Sequence, residues 1–471
     1  MKIKNHLLFV LVCSLIAIST AAQHNLGLAT SDFSALNSLY INPASIAGCN
    51  EKIAVSLFSV NMAVDNNEGT FSNLSKIDKS KDVFNFTGKG NFSALAPAVE
   101  LRLPGILVSL NDPLKQTFAL TARIRAINQF NNFSQDLYST VSDSNHTNTQ
   151  DFHYKTQNFN WTAHVWSEIA LSYALVAMDE GPHKIQAGIS LKYLGGIDYL
   201  SLKGKNLDID YKAGSDTFYA TNSDLEFASD AISANNAYSN GVSSSGIINK
   251  FFGAKAGSGF GMDIGVTYTY TIGGEKSGYN KWTSEDGHKL RVSAAVTDIG
   301  SIKYKQGDNF VVNVTGNGYI TGKGLSDNLK DYTTLRNYAA SQGFSVDTGS
   351  KTTKVHMPTA LIMNADYQII SKVYVNLLYL GNLANRQNYG NSYYSQVTLT
   401  PRFNYKLIGV ALPITYSTLA SDVKVGLGFR ISGFYFGSDD MLALMSNHQH
   451  GFGFYFGAYV PIYRKPSKDD H

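Results

Sequence analysis

GFGMDIGVTYTYT, Gly259–Thr271, alternates without a break. Phe260, Met262, Ile264, Val266, Tyr268 and Tyr270 share one face of an extended chain, while Gly259, Gly261, Asp263, Gly265, Thr267, Thr269 and Thr271 share the other. In a soluble sandwich the outward face would carry Lys, Glu and Arg. Here it is glycine, threonine and one aspartate. The pattern therefore assigns the apolar face to lipid and Asp263 to the interior of a barrel.

The same period recurs along the chain, in HVWSEIALSYALVAM (His164–Met178), KIQAGISLKY (Lys184–Tyr193), VTLTPRFNY (Val397–Tyr405) and VKVGLGFRIS (Val423–Ser432). The charges decide what it means. Arg123, Arg125, Glu168, Lys192, Asp263, Arg291, Arg402, Lys424 and Arg430 all fall on the face opposite the apolar row. A lipid-facing Arg or Lys near the bilayer midplane costs roughly 2–4 kcal/mol, so a barrel must turn such groups inward. The expected fold is all-β: a transmembrane antiparallel β-barrel of about 14 strands. The segments lie near 53–64, 94–110, 117–129, 164–178, 183–203, 207–213, 259–271, 288–304, 309–320, 355–370, 372–382, 393–404, 406–417 and 423–437, with a closing strand at 451–463.

Connections are unequal. Tight links such as IISKV, Ile369–Val373, contrast with polar stretches near 65–92, 130–163, 214–258 and 321–353, as periplasmic turns contrast with long extracellular loops. Helical spacing is expected in Ser223–Tyr238 and Ser326–Phe344, and an open loop at 131–160. Tyrosines toward segment ends, among them Tyr193, Tyr199, Tyr379, Tyr416, Tyr455 and Tyr459, suit aromatic girdles.

Composition agrees. Of 471 residues only 16% are charged, against about 25% in ordinary soluble domains, while 41 are glycine and 12% are aromatic. Beyond the N-terminus no apolar run reaches the length of a membrane helix. The first residues, MKIKNHLLFVLVCSLIAISTAAQ, read as a cleaved signal peptide over 1–22: Lys2 and Lys4, an apolar core, then small residues. The expected organisation is a hatch or plug segment at 23–50, a barrel at 51–463 and a polar tail at 464–471. Loss of Cys13 leaves Cys49 alone, so no internal disulfide and no CxxC site is expected. A net charge of +3, falling to about +1 on cleavage, points to no nucleic-acid partner.

Two regions carry a family resemblance. SALNSLYINPASIAG, Ser34–Gly48, resembles the Asn-Pro-Ala element near the mature N-terminus of barrels related to FadL fatty-acid transporters, to PorV and to PorP-like proteins of the Bacteroidota. AAVTDIGSIKY (Ala294–Tyr304) and VKVGLGFRISGFYFGSDDML (Val423–Leu442) resemble an uncharacterised Bacteroidota outer-membrane family of the same type. The resemblance implies that the segment with Asn42, Pro43 and Ala44 folds into the lumen as a hatch. It implies an outer-membrane location in a Gram-negative bacterium.

No HExxH, GxSxG or P-loop appears, and Asn447-His448-Gln449-His450 is a solvated turn rather than a metal site. A lipase-like Ser/His pair on the outer face has only His164 as a loose candidate. The sequence thus implies no enzyme, no cofactor and no metal. Two functions remain: FadL-like passive transport of small hydrophobic or amphipathic compounds, or a PorV/PorP-like interaction barrel whose partner belongs to protein secretion or the cell surface. Seven basic lumen residues against Glu168 and Asp263 suit anionic ligands, or else pair with plug and loop carboxylates.

Overall fold

The computed structural model describes residues 26–34, 36–49, 51–71, 84–86, 90–142, 150–230, 256–271, 288–304, 309–328, 332–348, 352–386, 388–405, 408–442 and 450–463. The expected signal peptide and polar tail lie outside these residues. Fourteen antiparallel staves close into one barrel. They are β1 Glu51–Asn66, β2 Asn91–Arg102 continued by Gly105–Ser109, β3 Thr117–Ser134, β4 Phe159–Glu180, β5 His183–Lys212, β6 Gly257–Tyr270 and β7 Leu290–Tyr304. The circuit goes on through β8 Lys354–His356 with Ala360–Ile370, β9 Val373–Asn382, β10 Gln396–Asn404 and β11 Ile408–Ala411 with Ile414–Ser417. It ends with β12 Asp422–Val425 and Leu427–Ile431, β13 Phe434–Asp440 and β14 Gly451–Tyr463. Pairing of β14 with β1, from Tyr463 opposite Glu51 to Gly451 opposite Asp65, closes the ring.

The first residue of β1 and the last of β14 share one rim, where the links 110–116, 181–182, 371–372, 405–407 and 432–433 are short. Gly181, Lys372 and Ser432 take positive φ there, as two-residue hairpins require. One long link, 271–289 between β6 and β7, lies on this rim as well, but most long links gather at the opposite rim. Beyond that rim β5 continues: His183–Gly196 pairs with β6, but Leu200–Lys212 pairs with Thr217–Asp230. Phe152–Thr156 adds on one side and Asn309–Thr321, then Ser345–Thr348, on the other. This five-stranded projecting sheet has its own apolar cluster, including Tyr154, Phe159, Leu207, Ile209, Tyr211 and Phe218.

The fold class is as the sequence indicates, but several boundaries differ for physical reasons. The segments 183–203 and 207–213 are one 30-residue strand. The strand at 309–320 exists but stands in the projecting sheet rather than the wall. The segment 423–437 is two staves, because Ser432 turns the chain at φ 56°. Together these differences take the fifteen expected segments, closing strand included, to fourteen staves. Ser223–Asp230 is a strand, not a helix, since Leu225 and Phe227 find cross-strand partners in β5 and Asn309–Thr321; 231–238 lie outside the described residues. The expected open loop at 131–160 instead holds the end of β3, a helix at Gln135–Ser142 and the strand Phe152–Thr156. Within 326–344 the described residues hold the end of one helix, Gly322–Asn328, and a second, Tyr332–Ser341.

In Gly259–Thr271 the two faces separate as the alternation requires. Phe260 is 77% exposed and Val266 54%, whereas Asp263 and Thr267 are buried. Every stave contributes at least one exposed large apolar side chain to the outer surface, such as Leu171, Leu191, Met363, Leu399 and Phe434. A soluble monomer rarely shows more than a few hundred Å² of contiguous apolar surface. An apolar band around the whole circumference matches hydrocarbon instead. No described helix is long and apolar enough to cross a membrane; the band is built of strands. The tyrosines divide. Tyr193, Tyr379 and Tyr416 face outward, but Tyr199, Tyr455 and Tyr459 are buried inside and belong to no girdle.

Substituting Leu171→Arg on the outer face of β4 is expected to lower stability in liposomes by about 2–4 kcal/mol. Ser215→Arg, on the projecting sheet, should change it by less than about 0.5 kcal/mol. Urea titration followed by the loss of the compact electrophoretic form distinguishes the two.

Candidate functional site: the plugged lumen

Residues 26–34 and 36–49 lie inside the barrel. They form two single-turn helices, α1 Leu26–Ala29 and α2 Leu36–Leu39, and a 3-10 turn, Pro43–Ile46. Such short helices do not hold in isolation. The wall must hold them, and it does so on several sides. Asn37 Oδ1 accepts from Arg102 Nη1 of β2 at 2.8 Å and from the Tyr435 hydroxyl of β13 at 3.0 Å. Ala47 O accepts from Gln186 Nε2 of β5 at 2.6 Å. The Tyr459 hydroxyl of β14 donates to Phe33 O at 2.5 Å.

Asn42 is the hinge of this arrangement. Its Oδ1 accepts from the Ala44 amide at 2.8 Å and so caps the 3-10 turn, while Pro43 occupies the position where no amide hydrogen is needed. Its Nδ2 donates to Val266 O at 3.0 Å and Thr267 Oγ1 at 3.3 Å of β6. Asn42, Pro43 and Ala44 are all buried. A Cβ on Gly265 would stand 2.0 Å from Asn42 Oδ1, and one on Gly188 of β5 would stand 2.4 Å from the Pro43 carbonyl carbon. Glycine on the inner face of the wall is thus what lets the plug backbone touch β5 and the Asn42 side chain touch β6.

Leu28, Leu36, Leu39 and Ile46 pack into a cluster with Leu107, Val176 and Tyr459, and Ile41 joins Ile362 and Leu380. At about 1.5–3 kcal/mol for each fully buried aliphatic side chain, these five hold the plug by roughly 8–15 kcal/mol.

Above the plug turn the wall charges meet. Arg123 pairs with Glu100 at 2.8 Å and Glu168 at 2.7 Å; Arg102 pairs with Glu100 at 2.6 Å. Arg125 reaches Asp298 at 2.8 Å, and Lys192 reaches both Asp263 and Asp298 at 2.7 Å. Four cations therefore face four carboxylates, all buried. The Tyr40 ring of the plug lies 3.9 Å from the Arg102 guanidinium, Trp166 donates to Glu168 at 2.8 Å, and Tyr393 bonds Arg125. A second group joins Arg291, Arg402 and His288 to Asp366 and to Asp32 of the plug. Elsewhere Lys424 pairs with Asp65 at 2.6 Å, and Arg430 donates to Tyr405 O at 2.8 Å beneath the Phe33 ring.

Of the nine charged residues singled out in the sequence, seven are buried and two, Arg291 and Lys424, half-buried, and acids that were not singled out stand against most of the basic ones. Glu100 and Asp366 sit at polar positions of alternating strands and were legible there. Asp298 was not: strict alternation puts it outside with Val292 and Val296. The register slips opposite Asp263, Asp298 takes φ 55°, and its amide donates to Asp263 Oδ1 at 2.7 Å. His164 is not on the outer face; it is buried within the lumen, 3.0 Å from the Tyr304 hydroxyl.

At the loop rim a cavity of about 560 Å³ opens over this filled lumen. Lys203, Lys205, Lys354 and Arg386 line it with a single carboxylate among its described residues, Glu226, and with five asparagines, Tyr389 and Tyr394. Glu226 accepts from the Tyr389 hydroxyl at 2.5 Å. Lys203 Nζ lies 3.8 Å from the Tyr389 ring, and the Arg386 guanidinium 4.5 Å from the Tyr394 ring. Burial on the projecting part of β5 pushes the Lys203 ammonium down to about 8, against the pull of Glu226.

The chain belongs to a family of unknown function, DUF5723, whose model matches residues 43–439. No curated protein matches the sequence. Among solved structures it is similar to a deletion mutant of the TodX monoaromatic hydrocarbon channel, with 10% identity, 92% of this chain and 95% of that one covered, and a TM-score of 0.45. It is similar also to the toluene transporter TbuX of Ralstonia pickettii (10%, 92% and 95%, TM-score 0.40) and to a FadL homologue of Pseudomonas aeruginosa (9%, 90% and 93%, TM-score 0.32). At these identities and scores the likeness assigns neither activity nor cargo.

Replacing Asp298 by Ala removes a carboxylate from Arg125 and Lys192 at once. Breaking a buried ion pair from one side costs about 3–5 kcal/mol, and that loss is expected in urea unfolding of Asp298→Ala.

Proposed function

We propose that this protein is an outer-membrane β-barrel that passes small amphipathic compounds passively, with residues 23–50 as its hatch and Asn42, Pro43 and Ala44 as the part seated on the wall. The observation that carries this reading is a ligand-sized cavity over a lumen filled by plug and ion pairs. The apolar band supports the outer-membrane location. A wall lined by paired charges, amides and hydroxyls favours amphipathic over purely hydrophobic cargo.

Magnitude limits how the hatch works. Expelling the whole plug would forfeit on the order of 10 kcal/mol, roughly a 10⁷-fold bias toward the closed form. Local rearrangement near Tyr40 is the cheaper route. There the plug and the wall residues Arg123, Lys192 and Asp263 leave a gap of only about 10 Å³, enough for about one water.

An interaction barrel serving protein secretion or surface anchoring is the alternative, favoured by the projecting sheet and by a lumen closed with side chains. Purification from native membranes with a stoichiometric protein and no small molecule would select it.

The full-length protein in planar bilayers is expected to conduct at most a tenth of the current of a variant lacking residues 24–48. Gly188→Val, which presses Pro43 off the wall without shortening the chain, should fall between them. If both variants stay as closed as the full-length protein, the wall alone seals the lumen and the hatch reading fails.

A further inference from the structure

The central ion group inside the barrel is matched, four cations against four carboxylates. The loop-rim cavity is different: Lys203, Lys205, Lys354 and Arg386 line it with Glu226 as the one carboxylate among its described residues. Arg386 matters most. Its Nε donates to Ser392 Oγ at 3.2 Å and its Nη2 to Tyr393 O at 3.4 Å, both neutral oxygens. Its guanidinium carbon lies 4.5 Å from the centre of the Tyr394 ring, whose hydroxyl is fixed at 2.5 Å by Asn131 Oδ1. A guanidinium held in this way keeps its full charge and its preference for a planar or tetrahedral oxyanion. Around it, asparagine amides supply both donors and acceptors for hydroxyl groups, and tyrosine rings supply flat apolar surface. The volume, about 560 Å³, lies within the range of small-molecule sites.

We propose that this cavity binds a soluble, hydroxyl-bearing small molecule through its carboxylate or phosphate, with Arg386 taking the anionic group and Lys354 and Lys203 adding to its field. This names the head group of the amphipathic cargo and in that sense rests on the transport reading. Binding itself requires only the cavity, so the two can fail separately.

The test uses a matched pair of probes, 4-nitrophenyl β-glucuronide and 4-nitrophenyl β-glucoside, which differ by a carboxylate at one carbon. Equilibrium dialysis with the purified full-length protein reads each by its absorbance. The glucuronide is expected to bind at least about tenfold more tightly than the glucoside, as a charge-assisted contact requires, with the preference shrinking as salt rises. Arg386→Gln should abolish most of that preference, and Lys354→Gln, at an exposed position, should reduce it severalfold; both variants should keep the compact electrophoretic form of a folded barrel. Equal affinities for the two probes would overturn the proposal, as would a full preference retained in Arg386→Gln. Glucuronide binding by a protein whose variants lacking residues 24–48 or carrying Gly188→Val both stay as closed in bilayers as the full-length chain would leave this site standing and remove the hatch reading.

Discussion

Four cations and four carboxylates share the middle of the lumen, and neither set is tolerable there without the other. Each ion alone would forfeit several kcal/mol of hydration. Together Arg102, Arg123, Arg125 and Lys192 with Glu100, Glu168, Asp263 and Asp298 tie β2, β3, β4, β5, β6 and β7 into one register. A slip of one residue in any of these strands would send a charge into lipid and leave its partner alone. The outer apolar band fixes which face is which; the network fixes how far along each strand its neighbour sits.

The plug is built onto that frame. Tyr40 lies against Arg102 and Arg123, and Asp32 enters the second charge group beside Arg291 and His288. Between these two polar attachments the chain approaches β5 and β6 closely enough that only glycine fits at Gly188 and Gly265. Hydrophobic burial supplies most of the holding energy, and the polar contacts supply position. A segment held in this way is firmly packed against the wall yet is attached to it by no covalent bond other than its own chain.

Much of this was legible in the sequence because lipid imposes a two-residue period with no tolerance for error. The alternation of Gly259–Thr271 predicts its exposed and buried faces residue by residue, and the polar position of each of the nine charges predicts its burial, full or partial. What was not legible is non-local. The bulge that turns Asp298 inward depends on its pairing with β6, the departure of β5 from the ring at Leu200 depends on the Thr217–Asp230 strand beside it, and the turn at Ser432 splits an unbroken alternation into two staves. The loop-rim cavity is assembled from β2, β3, β4, β5, β8, the link between β9 and β10 and the projecting sheet. No local pattern announces a site whose residues come from so many places.

The account stands or falls on whether residues 26–48 are seated in the lumen. Hydrogen–deuterium exchange on the protein in native outer membranes measures this directly. The plug amides of Asn42, Ala44 and Ala47, which donate to Ser38 O, Asn42 Oδ1 and Ala44 O, should exchange at least about a hundredfold more slowly than an open chain, and Gly188→Val should speed them. Exchange at open-chain rates in the unmodified protein would mean that the plug is not seated, and would contradict a lumen closed by its own N-terminal segment.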